Sequence, residues 1–386
     1  MVRKVLRAAA LAAGAAGVLA GSQVRVGGAA RPLTDRWQLL PVRERGSTRL
    51  GISFRPRQAE TLGLGVEDSL RTLLAYPFEV IRFGAYWNTI EPAPGKFCPD
   101  ELDRQIEAAE TAGKRIIVCL GAVKTFGYPE FFVPDHHLPQ PLREGALVEP
   151  GDQRRLLAAA TEFSTRVVER YRDRESIIAW QVEHEATDPL GMEHSWRLST
   201  AFARQEVAAV RAADPSRPIM MNGFLPTSLP VGAQQWWRTR DQGDSLVVAK
   251  QLADIVGIDF YPRHAVAALG STTMYFDGSR TPWQQYRRRA LFAWAARKAG
   301  RELMVAEGQA EPWETVTNPP NPANEGMRSC LPEHVIENYN QCMGWNHGAP
   351  ARISAYLFWG AEYWLLRGRD GDPRYLRAFE RVLDES

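Results

Sequence analysis

Cysteine is scarce in this chain: Cys98, Cys119, Cys330 and Cys342 are the only four in 386 residues. A cysteine-stapled scaffold is thereby excluded, and with no CxxC or histidine-rich spacing the sequence suggests no metal centre. Four cysteines permit three pairings in an oxidising compartment. Cys330 with Cys342 is the favoured pair, since both fall in one polar stretch, whereas Cys119 lies in a strand pattern as a small core residue. An excess of charge of one sign is also missing. The 47 Lys and Arg against 45 Asp and Glu leave +2, and no basic run is interleaved with aromatics, which excludes a nucleic-acid surface. Internal repeats are absent, and no Gly/Pro-rich linker marks a domain boundary. Beyond residue 20 no apolar run is long enough to cross a membrane.

Apolar material is plentiful. Hydrophobic residues make up 45% and charged residues 24%, enough for a large core and too little charge to keep the chain unfolded. Twelve Trp and eleven Tyr are core filler for the most part, but they are also the residues that stack on sugar rings. At the start, Arg3, Lys4 and Arg7 precede a stretch from Ala8 to Ala20 built only of Ala, Gly, Leu and Val. That order is a secretory signal's, and Val18-Leu19-Ala20 before Gly21 offers a small-residue cleavage site. Residues 1–30 are therefore expected to be a signal peptide or N-terminal anchor. The protein is expected to be secreted or held in the cell envelope, touching membrane only if that segment stays uncleaved.

From residue 45 to 386, short apolar runs alternate with amphipathic stretches, the order of a parallel α/β fold. The runs are Leu50 to Phe54, Phe78 to Phe83, Arg115 to Leu120, Ile177 to Val182, Pro218 to Asn222, Ile255 to Phe260, Leu303 to Ala306 and Ile353 to Phe358. Eight such runs imply one (β/α)8 TIM barrel. Helical spacing fills the gaps: Leu102, Ile106 and Ala109 define a face within Pro99 to Ala112, which Gly113 ends. Gln153 to Tyr171 and Trp196 to Ala212 read the same way. Longer inserts follow the third run (Phe126 to Glu149), the sixth (Arg263 to Arg280) and the seventh (Pro312 to Pro332). These are positions where loops shape a barrel's active face.

Polar residues stand at the ends of the runs: Arg82, Glu183 to Glu185, Asn222, Asp259 with Tyr261, Glu307 and Trp359. Glu185 and Glu307 close the fourth and seventh runs, so two carboxylates from separate strands converge on one cleft, as glycoside hydrolysis requires. Strict alternation puts Glu183 and Glu185 on one strand face and makes Glu183 a rival for the acid.

Ala179-Trp180-Gln181-Val182-Glu183-His184-Glu185 resembles the fourth-strand signature of the glycoside hydrolases of clan A, and Val305-Ala306-Glu307-Gly308 resembles the seventh-strand signature. Val80-Ile81-Arg82-Phe83 with Trp87, Glu91-Pro92 and Gly95-Lys96-Phe97 is similar to the second strand and following helix of family 42 beta-galactosidases and family 5 cellulases and mannanases. His184 departs from the usual Asn and is shared with family 26 mannanases. The resemblance implies a retaining β-glycosidase acting on an oligosaccharide or polysaccharide without a cofactor, with Glu307 as nucleophile and Glu185 as acid/base. It also implies roles for Tyr261 in hydrogen-bonding the nucleophile, Arg82 beside it, Trp359 as the subsite floor and His184 as the donor to the sugar 2-hydroxyl. Asn222 is the alternative donor. Two other expectations share these residues: a catalytically inactive glycan-binding barrel, and a cell-wall transglycosylase using the same two Glu. Trp236-Trp237, Trp313 and Trp364 could add subsites, and His136-His137 is expected in a solvated loop.

Overall fold

The computed structural model describes residues 24–27, 33–127, 130–188, 195–227, 229–269, 272–277, 282–312 and 329–386. The charged-then-apolar start and Trp313 lie outside them. Each of the eight apolar runs forms a strand: β1 (Arg49–Ser53), β2 (Val80–Gly84), β3 (Arg115–Cys119), β4 (Ile177–Gln181), β5 (Ile219–Phe224), β6 (Ile255–Phe260), β7 (Glu302–Gln309) and β8 (Ile353–Trp359). All pair in parallel with their chain neighbours, and β8 returns to β1, closing the barrel. The protein is a (β/α)8 barrel. Among the described residues no helix is long and apolar enough to cross a membrane.

Period-two alternation divides each strand between two cores. One set, including Val80, Ile117, Ala179, Met220, Ile255 and Met304, fills the barrel interior. The other set packs outward against the helices, where Leu102, Ile106 and Ala109 of the helix Asp100–Thr111 are buried as their spacing implies. Leu102 and Ile106 each contribute about 1.5–3 kcal/mol by leaving water. That helix carries Asp100, Glu101 and Asp103 in its first turn, where they complement its dipole, and Gly113 beyond its end has φ +68°.

One helix boundary and the cysteine pairing differ from the sequence reading. The helix expected from Trp196 starts at Thr200, because Ser199 caps it by accepting from the Phe202 N–H and Arg197–Leu198 pairs as a short strand with Leu147–Val148. No disulfide joins Cys330 to Cys342. Cys342 belongs to the buried face of the helix Pro332–Trp345 and not to the polar insert, while the Cys330 sulfur lies against the carbonyl oxygens of Gln309 and Leu331.

Candidate active site

Continuing the inward alternation past the apolar layer brings polar residues to the C-terminal end of the barrel. Arg82 pairs in register with Ser53, Cys119 with Gln181, and Asp259 with Glu307. Small residues make room for them. A Cβ on Gly257 would come within 2.9 Å of the Asn222 Cβ and within 2.8 Å of the Ala306 Cβ, so β6 passes this layer only as glycine.

Glu307 is buried, and both its oxygens are held. Oε1 pairs with the Arg82 guanidinium at 2.6 Å, and Oε2 accepts from the Tyr261 hydroxyl at 2.6 Å. Arg82 is itself fixed by the Ser53 hydroxyl and the Gln181 amide oxygen, with its guanidinium 4.1 Å from the Phe126 ring centre. Trp359 lies beside this group, its ring centre 5.7 Å from the Arg82 guanidinium and 4.2 Å from that of Arg55. Arg55 lies in a buried set of its own, bonded to Glu311 and Glu362.

Strand β4 ends at Gln181, so alternation does not govern the two glutamates after it. Glu183 and Glu185 have φ of 57° and 43°, the left-handed region that costs a non-glycine residue about 1–2 kcal/mol. Local bonds offset that cost. The Glu183 carboxylate accepts from the Val123 and Lys124 N–H groups at 2.9 and 2.6 Å, the His184 N–H donates to the Lys124 carbonyl, and the Glu185 N–H donates to Asn222 Oδ1. Glu183 thus points at the backbone after β3, with Glu206 of the neighbouring helix beside it. The shared-face expectation fails, and the rivalry between the two residues goes with it.

The half-buried Glu185 is the group that lies near Glu307. Burial, with Asp188 and then Glu307 and Glu130 adding negative charge against Lys124, pushes its carboxyl up to about 8. His184 goes the other way: burial and the nearby Lys124 and Arg82 hold it well below the ordinary histidine value, so the ring is neutral. Its Nδ1 faces Asn222 Nδ2 at 2.9 Å and Glu307 Oε1 at 3.5 Å. With Nδ1 taken as acceptor from Asn222, the proton sits on Nε2. Asn222 is saturated: its oxygen takes the Gln181 amide and the Glu185 N–H, and its NH2 serves His184 and Asp259 Oδ2. It keeps no donor for a sugar and acts as a positioning residue.

Sequence reasoning left two members of the site, Asp259 and Lys124, without roles. Asp259 lies buried beside Glu307 and Glu185; burial, those two carboxyls and a hydrogen bond with Glu185 hold it well above the ordinary aspartate range. Alternation from Ile255 through Gly257 could have found it. Lys124 reaches Glu130 and the carbonyls of Glu185 and Asp188, and these partners meet only through the closed barrel. His184, Asp259 and Glu307 present three potential metal ligands within 4.8 Å. However, Arg82 already pairs with Glu307, and the Asn222 amide engages His184 Nδ1 and Asp259 Oδ2, so each of the three already has a partner.

Of the outlying aromatics, Trp364 is a buried core residue donating to the Ala310 carbonyl and builds no subsite. Trp236 and Trp237 are exposed on the helix Leu229–Thr239 after β5. His136 and His137 are half-buried and face Glu91, so the solvated-loop expectation is also corrected.

The glycoside hydrolase family 42 model, beta-galactosidase, matches residues 65–204, the span holding Arg82 and Glu185. Among solved structures the chain is similar to GH5_18 from Streptomyces cattleya in complex with GlcNAc, at 14% identity over 88% of this chain and 81% of that one, with a TM-score of 0.55. Xylanase 10B from Thermotoga maritima is 14% identical over 90% and 98% of the two chains, with a TM-score of 0.52. The cold-adapted beta-galactosidase from Rahnella sp. R3 is 14% identical over 87% of this chain, with a TM-score of 0.53; the match spans 55% of that enzyme's length. At such identity these structures share the barrel fold. No curated protein matches the chain by sequence.

Proposed function

We propose that the protein hydrolyses a β-linked glycoside of an oligosaccharide or polysaccharide with retention of anomeric configuration. The observation that carries this reading is the pair of carboxyls with contrasting surroundings at the barrel's C-terminal mouth. Glu307 is paired with Arg82 and bonded by Tyr261, while Glu185 is held protonated up to about pH 8. A carboxylate fixed by a guanidinium and a phenol, near a carboxyl that keeps its proton, is the arrangement a nucleophile and a general acid need.

In the first step Glu307 attacks the anomeric carbon while Glu185 gives its proton to the leaving oxygen, which departs as an alcohol. In the second, Glu185 takes a proton from water, whose oxygen displaces Glu307 and restores the carboxylate. Arg82 and Tyr261 hold the carboxylate in line, Trp359 offers the platform for the ring, and the His184 Nε2–H is the donor for a sugar hydroxyl. Action outside the cytoplasm is part of the proposal and rests on the charged-then-apolar start from Arg3 to Ala20.

Glu307→Ala should abolish turnover of aryl β-glycosides. Glu185→Ala should spare dinitrophenyl glycosides, whose leaving group needs no proton, and azide should rescue it as a β-glycosyl azide. An α-configured product, or two active variants, would overturn the reading. Product masses separate hydrolysis from transfer to a second sugar.

A further inference from the structure

Away from the catalytic mouth, two loops on the same end of the barrel bring together three side chains with no part in the mechanism. Glu91 follows the short helix Trp87–Ile90 after β2, and His136 and His137 lie in a single 3-10 turn in the insert after β3. Glu91 Oε1 is 3.3 Å from the His136 Nε2 and 3.2 Å from the His137 Nε2, and the three atoms all lie within 4.8 Å of one another. Four ligands about 2.0–2.1 Å from a tetrahedral zinc ion stand about 3.3 Å apart along each edge. The two Glu–His separations match that edge.

The surroundings fix the ligands and leave them open to solvent. The Trp87 indole N–H donates to Glu91 Oε2 at 2.7 Å, so the carboxylate presents Oε1 to the histidines. The Trp87 ring stacks on His137 with centroids 4.7 Å apart, which sets the imidazole plane. Side-chain exposures of 12% for Glu91 and 21% and 22% for the histidines leave one side for water. Among the described residues no lysine or arginine pairs with Glu91. Two imidazoles and one carboxylate form a nitrogen and oxygen set that suits borderline divalent ions and not calcium or magnesium.

We propose that Glu91, His136 and His137 bind one zinc-class divalent ion, with water in the fourth position, and that the ion clamps the loop after β3 to the loop after β2. Those loops already meet through the Asn88 N–H and the Phe132 carbonyl, at 2.8 Å. The ion would add a second tie along the cleft wall and take no part in bond cleavage, because Glu185 and Glu307 stand elsewhere.

The test uses the full chain freed of any affinity-tag histidines and stripped with chelator. Titration with zinc sulfate should give one site per chain and raise the thermal midpoint, and Co2+ should give the intense visible absorption of a four-coordinate site. Glu91→Gln and His136→Ala should each weaken zinc binding by more than about ten-fold, with far-ultraviolet circular dichroism unchanged. Absence of a stoichiometric zinc site in the wild type would overturn the proposal, as would the weak spectrum of six-coordinate Co2+. Equal zinc affinity in folded Glu91→Gln would do the same. The wild-type cobalt spectrum decides the matter if either variant fails to fold.

Discussion

At the scale of single residues, the site works by giving similar groups different surroundings. Glu307 and Glu185 are the same side chain, yet one is anchored by a guanidinium and a phenol, and the other sits among carboxyls with Lys124 as cationic relief. On the proposed mechanism kcat/KM falls as pH rises through about 8, where Glu185 loses the proton it must donate. A pH profile on a poor leaving group should show that alkaline limb, and Glu185→Ala should remove it on a dinitrophenyl glycoside. His184 makes a separate claim. Its Nδ1 is committed to Asn222, so only Nε2–H is left for substrate. His184→Ala should lower kcat and kcat/KM together, by about a hundred-fold, with little change in KM, since such a bond strengthens in the transition state. A rise in KM alone would mark ordinary substrate binding. The identities of these residues were legible in the sequence, but their partners were not. Nothing in the local pattern reveals that Asn222 spends its whole amide on Gln181, His184, Glu185 and Asp259, because those partners meet only when β4, β5 and β6 close side by side.

At the scale of elements, all eight strands were readable because parallel strands buried on both faces leave short, nearly continuous apolar runs. The ends were harder. Strand β4 reads as if it continued to Glu185, because Val182 extends its apolar run, yet pairing stops at Gln181 and the chain turns through two left-handed residues. Backbone N–H groups of Val123 and Lys124, from another loop, hold that turn, and they are invisible from within the motif. The histidine pair escaped for the same reason, since Glu91 lies in a different loop. Strand β6 carries its own prediction. Its Gly257 lets Asn222, Met220 and Ala306 close over the barrel axis. Gly257→Ala should cost about 1–3 kcal/mol by overpacking. It should also reduce kcat, because the methyl group displaces Asn222 and with it His184. Denaturant unfolding and steady-state kinetics read the two effects, and unchanged kinetics in a destabilised variant would separate the barrel packing from the site.

At the scale of the whole molecule, the buried titratable groups make stability depend on pH with a definite sign. Glu185 is raised to about 8 and Asp188 to about 7, both chiefly by burial, and Asp259 and Glu206 are also raised, by burial and neighbouring carboxyls. A carboxyl that keeps its proton in the folded chain, but ionises near pH 4 when unfolded, binds more protons folded than unfolded across the interval between. Stability therefore falls as pH rises through it. His184 and His334, lowered by burial and nearby cations, act in the opposite sense, but only where an unfolded histidine would be charged, below about pH 6.5. Between about pH 6.5 and 8 the carboxyls act without that opposition. Glu185 alone should then withdraw about 1–2 kcal/mol across the window, and urea midpoints should drop steadily with rising pH. Glu185→Gln, which keeps a neutral side chain of the same shape at every pH, should flatten that decline by its own share while leaving the contribution of Asp188 and Asp259. A midpoint that holds steady or climbs from pH 6.5 to 8 in the wild type would mean that these carboxyls are already ionised in the folded chain. Glu185 would then have no proton to give.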